Sequence, residues 1–284
     1  MRFSPRSLLL AATVSSLAFS LGCVGAPTAS GSTTAAASTT TETATTHTAT
    51  PISTASASTS TSAGSLTGRT IVIDPGHTGA WTAKWGYHKV SDGNGRTKAC
   101  NSSGTATNAG YSEHAYNLAQ AKALAAELRS RGATVLLNRT NDSTRSDQLC
   151  VNHRADLANK NSADLLISLH ADGNLGKGHR GFHIIVSTVM HGGKAVIAKS
   201  KTLAKDIRAA LQSETSMPRS NYIGKGTAYS FRSDLGTLNF AQRPAVMMEM
   251  GNMRNSTDAK LFTSAKFRTQ AAVALADGIE KFLG

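Results

Sequence analysis

From residue 69 to the C-terminus, short apolar runs alternate with longer stretches of helical period. Thr70-Ile71-Val72-Ile73 reads as a buried strand, stopped by Asp74-Pro75-Gly76. Between 112 and 131, Leu118, Ala121, Leu124, Ala125 and Leu128 share one face of a helix, with Ser112 placed to cap it and Gly132 to end it. Strands are expected over 134–137, 165–169 and 182–186, and helices over 146–159 and 193–213. A last apolar run, Ala245 to Met250, precedes helical stretches near 257–263 and 265–283. This alternation predicts an α/β fold: a single domain with a mostly parallel twisted sheet and helices on both faces. Residues 78 to 111, with six glycines, fit no element and read as a long functional loop. Trp81, Trp85 and Tyr87 either stack there on a sugar or pin the loop; the sequence leaves both readings open.

Composition sets the limits of that domain. Of the 42 residues from 24 to 65, 23 are Ser or Thr and 10 are Ala. Such a stretch buries too little apolar surface to offset its ordering entropy, so 24–66 is expected to be a disordered linker. Residues 1–23 read as an export signal: Arg2 and Arg6 precede an apolar run from Leu8 to Leu21 that is too short to span a bilayer. The run ends at Ser20-Leu21-Gly22-Cys23, which resembles a bacterial lipobox with Ser20 where Leu is preferred. Lipidation of Cys23 is therefore expected, ordinary signal-peptidase cleavage being the alternative. Residues 67–284 remain as one domain.

Without Cys23, Cys100 and Cys150 are an even pair in an oxidising compartment, and no CxxC spacing suggests a metal knuckle. A disulfide is expected. Setting Arg2, Arg6 and Glu42 aside from the total of +13 leaves the domain at +12, which calls for a polyanionic neighbour. No nucleic-acid motif is present and an exported chain rarely meets nucleic acid, so acidic cell-envelope polymers are the expected partner, and the chain is expected to act as a monomer.

In open α/β sheets ligands bind beyond the carboxyl ends of strands. His77 follows the first strand, His170 ends the run Leu165-Leu166-Ile167-Ser168-Leu169, Glu249 follows Val246-Met247-Met248, and Glu113 opens the first long helix. Two imidazoles and a carboxylate with one open position form the donor set of a catalytic zinc, and a remaining carboxylate serves as general base. Blander readings exist: a histidine after a strand often makes one loop hydrogen bond, and Glu113 complements a helix dipole. Glu249 is the hardest to dismiss, because a carboxylate among apolar neighbours needs a partner. His114 points about 100° away from Glu113 on a helix and reads as a supporting or exposed residue. His153 and His183 read as structural, and Lys84, Lys89 and Arg96 as possible contacts to acidic groups.

The wording around these residues adds to this. Ile71-Val72-Ile73-Asp74-Pro75-Gly76-His77, Ser112-Glu113 before Asn117-Leu118, Ser162-Ala163-Asp164 leading to Ser168-Leu169-His170-Ala171-Asp172, and Pro244 to Asn252 occur in that order. Together they resemble the zinc-dependent N-acetylmuramoyl-L-alanine amidases over residues 69–284. The resemblance implies Zn2+ held by His77, Glu113 and His170, with Glu249 as catalytic carboxylate. It also implies peptidoglycan as substrate and location in the periplasm or cell wall, with lipid anchoring to the membrane's outer face an option. Cys100, Cys150 and Arg232-Ser233-Asp234-Leu235-Gly236 resemble the compact cell-wall amidases of actinobacteria. Thr78 stands where many relatives have Gly, and Asn239 where many have a basic residue. A zinc carboxypeptidase acting on stem peptides and a non-catalytic wall-binding module remain as alternatives.

Overall fold

Ile71, Val72 and Ile73 are fully buried because their strand, β1 (Thr70–Pro75), is paired on both sides and covered on both faces. The computed structural model describes residues 64–145 and 149–284. The export signal over 1–23, Cys23 and nearly all of the 24–66 linker lie outside the described residues, whereas Leu66, at the linker's expected end, is buried in the core.

After β1 come α1 (Ala83–Tyr87), the hairpin β2 (Lys89–Ser91) and β3 (Thr97–Ala99), α2 (Glu113–Ser130), β4 (Thr134–Leu137), α3 (Asp156–Lys160) and β5 (Leu165–Asp172). The second half runs β6 (His183–Ser187), α4 (Gly193–Glu214), β7 (Tyr229–Arg232), α5 (Gly236–Asn239), β8 (Ala245–Asn252), α6 (Ser256–Thr263) and α7 (Ala265–Leu283). Six strands form one sheet in the order β4-β1-β5-β8-β6-β7, and every neighbouring pair is parallel except β8 with β6. α2 and α4 pack on the sheet with α7 against both. Right-handed crossovers put α3 on the opposite face. There α5 lies beside it: Asn159 Nδ2 donates to the Phe240 carbonyl, and its Oδ1 accepts from the Gln242 N–H. The α/β fold with helices on both faces is as the periodicity predicts.

Several local expectations need correction. Of the helix expected over 146–159, residues 146–148 lie outside the described residues; among the described ones 151–155 form turns and helix begins at Asp156. The Val151 N–H donates to the Cys100 carbonyl and the Arg154 side chain turns back to the Leu149 carbonyl, so this backbone serves neighbours rather than its own helix. Ser112 precedes α2 but its side chain makes no capping bond; Gly132 does adopt the left-handed conformation, at φ 92°. β7 and α5 had no periodic signal. β5 and β8 run past the expected ends, to Asp172 and Asn252.

The 78–111 segment is not structureless. Asp92-Gly93-Asn94-Gly95 turns the β2–β3 hairpin, with Asp92 Oδ1 accepting from the Asn94 and Arg96 N–H groups; the Asp-Gly and Asn-Gly pairs are the sequence signal for it. Trp81 pins the loop by donating Nε1 to the Asn101 carbonyl, while Tyr87 is exposed. Asn239 and the Arg232–Gly236 motif fasten the hairpin to the domain. Asn239 Nδ2 donates to the Asp92 carbonyl, Arg96 Nη2 to the Ser233 carbonyl, and Lys98 pairs with Asp234, which also holds Arg232.

Cys100 and Cys150 are joined, tying the end of the hairpin to the turns before α3 across 50 residues of sequence. Thiol titration of the folded domain without reductant is expected to find neither cysteine free. Replacing both with Ser is expected to lower the unfolding free energy by about 2–5 kcal/mol, read from denaturant melts. Two titratable thiols in freshly isolated protein contradict the bond.

Candidate active site

The histidines and carboxylates marked in the sequence meet at the carboxyl ends of β1, β5 and β8 and at the start of α2. Register brings them there. Asp74 lies opposite Ser168 and Pro75 opposite Leu169, and the Gly76 N–H then donates to the Leu169 carbonyl at 2.9 Å, seating His77 beside His170. Only glycine fits at 76, where a Cβ would stand 2.3 Å from the His170 ring. His77 itself is left-handed at φ 57°, a conformation uncommon outside glycine. Between β5 and β8, His170 lies directly opposite Glu249, so the two side chains project from one side of the sheet.

Glu113 is the hub. Its Oε1 lies 3.1 Å from His77 Nε2 and 3.0 Å from His170 Nδ1, and also accepts from the Ala171 N–H and Asn117 Nδ2. Its Oε2 accepts from the Thr105 N–H at 3.0 Å. Gly104, at φ 74°, allows the chain this close: a Cβ there would sit 2.7 Å from Oε2. One donor atom from each of His77, Glu113 and His170 lies within 4.8 Å of the others, a grouping able to hold a metal ion. His77 Nδ1 is 2.9 Å from the Ser102 carbonyl, so its N–H is used there and Nε2 keeps its lone pair for the centre.

Electrostatics separate the two carboxylates. Burial pushes Glu113 up, but the histidines outweigh it and hold its carboxyl well below the usual range. Burial, then repulsion from Glu113 and Asp172, pushes Glu249 well above that range against the pull of Arg232. Glu249 Oε2 is buried and has no hydrogen-bond partner among the described residues. Burial also lowers His170, which favours a neutral, metal-binding imidazole. A cleft of about 280 Å3 opens beside His77, His170 and Glu249, with Val151, Leu235 and Met247 as apolar wall.

Beneath the cleft lies a buried polar layer that pattern reading missed. Asp74 accepts from Arg154 Nη1 at 2.6 Å, Asn138 Nδ2 at 3.0 Å and Ser168 Oγ at 2.7 Å. Burial opposes its ionisation, yet Arg154 and these hydrogen bonds bring its carboxyl below the usual value. Arg139, also buried, donates to the carbonyls of Pro75, Gly76 and His114, bracing the turn that presents His77. An aspartate closing an apolar strand is a signal that some cation must reach it, but spacing does not say which.

The other candidates stand apart. His114 points away from the centre and pairs with Asp142, which also holds Arg139. His183 is buried opposite Glu249 on β6 and pushed down to about 4, mainly by burial, so it is neutral. His153 is exposed beside Asp156 and lies outside any helix. Of the loop cations, Arg96 is spent on Asp92 and Lys84 lies over Trp85. Lys98, not singled out beforehand, lines the cleft. Thr78 Oγ1 donates to the Thr144 carbonyl, a role that a glycine lacks.

Known proteins match this arrangement. A family model described as N-acetylmuramoyl-L-alanine amidase matches residues 71–281. The N-acetylmuramoyl-L-alanine amidase Rv3717 of Mycobacterium tuberculosis is 40% identical over 223 residues, covering 77% of this chain and 88% of that protein. The crystal structure of the amidase Ami1 from Mycobacterium smegmatis superposes with a TM-score of 0.72 at 37% identity, over 77% of this chain and 98% of its own. Ami1 from Mycobacterium abscessus, in its apo form, gives 0.72 at 36% identity, over 77% and 100%. On the extent of these matches, together with the convergence of His77, Glu113, His170 and Glu249, the chain belongs to the N-acetylmuramoyl-L-alanine amidase family.

Proposed function

We propose that this chain hydrolyses the amide between N-acetylmuramic acid and the L-alanine of the peptidoglycan stem peptide, with Zn2+ held by His77, Glu113 and His170 and with Glu249 as catalytic carboxylate. The observation that carries this reading is Glu249: directly opposite a candidate ligand, with a buried oxygen that nothing else uses. The donor set fits zinc. Two imidazole nitrogens and one carboxylate oxygen converge, and three such ligands would leave a four-coordinate zinc one position for water or substrate. When bound, zinc acts as a Lewis acid that polarises a carbonyl and acidifies water.

The chain's own groups manage the protons. Glu249 Oε2 accepts a proton from the water whose oxygen bonds to the lactyl carbonyl carbon. As the C–N bond breaks, the same oxygen delivers that proton to the departing L-alanine nitrogen, since an amide needs its leaving group protonated. A carboxylate raised by burial and by its anionic neighbours holds the proton between the two events. The products are a muramic acid carboxylate and a stem peptide with a free amino terminus. Glu113 stays anionic among its donors and fixes both imidazoles.

The reading extends to export through 1–23, a tether over 24–66 with lipid on Cys23, and action as a monomer on the wall. Among the described residues no helix is long and apolar enough to cross a membrane. Attraction between the +12 domain and acidic envelope polymers supplies targeting.

The products test the reaction: digestion of purified peptidoglycan is expected to release whole stem peptides beginning with L-alanine, read by mass. A carboxypeptidase releases only C-terminal residues, and a binding module nothing.

The two carboxylates are expected to fail differently. Glu113→Gln lowers zinc content, with activity partly regained in excess metal. Glu249→Gln keeps zinc, loses turnover by roughly 10²–10⁴ and regains nothing from added metal. Metal lost from Glu249→Gln, or full activity retained, reverses the assignment.

Pelleting with insoluble wall is expected to weaken steadily as salt rises, because exposed charges are screened over about 8–10 Å at physiological ionic strength. Undiminished binding at high salt points to specific sugar contacts instead.

A further inference from the structure

Two buried hydrogen-bond donors, on residues that line the cleft, have no partner among the described residues. Asn101 and Arg154 are 4% and 3% exposed, and both line the cleft that holds His77, His170 and Glu249. Asn101 Oδ1 accepts from the Ser102 N–H, and its backbone carbonyl accepts from Trp81 Nε1, but Asn101 Nδ2 has no partner among the described residues. Arg154 uses Nη1 on Asp74 and Pro75 and Nε on Leu149, while its Nη2 is likewise unpartnered. Leaving one such group dry costs about 1–3 kcal/mol, so two beside a reaction centre call for an acceptor that arrives from outside.

The two donors belong to one rigid unit. Asn101 follows Cys100, Arg154 lies four residues after Cys150, and the disulfide and the Val151 N–H to Cys100 carbonyl bond clamp these segments together. The charge of Arg154 is already matched by the ionised Asp74, so what the pair offers is two oriented N–H groups with little net charge. That suits a neutral oxygen better than a carboxylate.

We propose that Asn101 Nδ2 and Arg154 Nη2 form a subsite that binds an amide carbonyl oxygen of the substrate other than the scissile one. This rests on the amidase reading above, since it places a muramoyl peptide in the cleft. Two carbonyls share this chemistry: the N-acetyl group of the sugar and the next amide of the stem peptide. A contact made equally before and during reaction raises KM when lost and leaves kcat alone.

The test is steady-state kinetics of the metal-loaded chain on a soluble muramoyl peptide, with metal content and melting temperature measured alongside. Asn101→Asp keeps the acceptor for Ser102 and turns the free donor into an acceptor; Asn101→Ala deletes the donor together with the acceptor for Ser102. The expected result is KM raised roughly 2–10-fold by N101A and further by N101D, with kcat and zinc content as in the parent. Arg154→Lys keeps a cation for Asp74 and loses the second donor; where it unfolds, the Asn101 variants decide. Two substrates then locate the contact. The N101D penalty is expected to vanish either on a muramoyl peptide lacking the N-acetyl group or on the ethylamide of N-acetylmuramic acid, which has no carbonyl beyond the scissile amide. Unchanged KM, as when the two nitrogens only share a buried water, overturns the proposal. So does a loss confined to kcat, or a penalty that persists on both truncated substrates. Failure of the amidase reading shows separately, as a parent chain that releases no stem peptide.

Discussion

A carboxylate buried at the edge of a sheet is expensive unless every lone pair is answered, and Glu113 shows how this fold answers it. Its two oxygens lie against two imidazoles and accept from two backbone N–H groups and the Asn117 amide. These groups come from the turn after β1, from β5, from the loop before α2 and from α2 itself, so four segments must arrive together for the charge to be tolerated. The left-handed His77, Gly76 under the His170 ring and Gly104 against Oε2 are all local consequences of that convergence.

A second buried layer supports the first. Asp74 lies near the end of buried β1 and is held by Arg154, Asn138 and Ser168, while Arg139 braces the following turn by donating to the carbonyls of Pro75 and Gly76. The result is a turn with little freedom, and the imidazole it carries inherits that rigidity. Catalytic groups benefit from such support, because small misplacements of a reacting group cost large factors in rate. The disulfide works one level further out, where it fixes the cleft wall relative to this turn.

The one antiparallel pairing within the six-stranded sheet, β6 against β8, also matters for chemistry. It places a neutral buried histidine, His183, opposite Glu249 instead of a cation that would drive that carboxylate into permanent ionisation. Glu249 is left with burial and repulsion from Glu113 and Asp172 outweighing the attraction of Arg232, and is pushed up where Glu113 is pulled down. Opposite displacements of two carboxylates at one centre suit one to stay ionised and the other to carry a proton, the division that the proposed roles require.

Periodicity by itself determined the strands of the sheet's centre and the long helices, since a buried run or a one-sided helix writes its period into the sequence. His77, His170 and Glu249 stood out at the carboxyl ends of apolar strands and Glu113 at the start of a periodic helix, and the motif wording supplied the roles proposed for them. The Asp-Gly and Asn-Gly pairs of the hairpin were equally present in the sequence and went unread. β7 and α5, four residues each, are too short to show a period, and the helical pattern read over 146–159 gives way to turns over 151–155, where the Val151 N–H is spent on the distant Cys100 carbonyl. The identity of the cations that neutralise Asp74, the free donors of Asn101 and Arg154, and the opposite displacements of Glu113 and Glu249 were decided only by tertiary structure. Charge compensation and desolvation depend on which atoms lie within a few ångströms, and spacing along a chain carries no such distance.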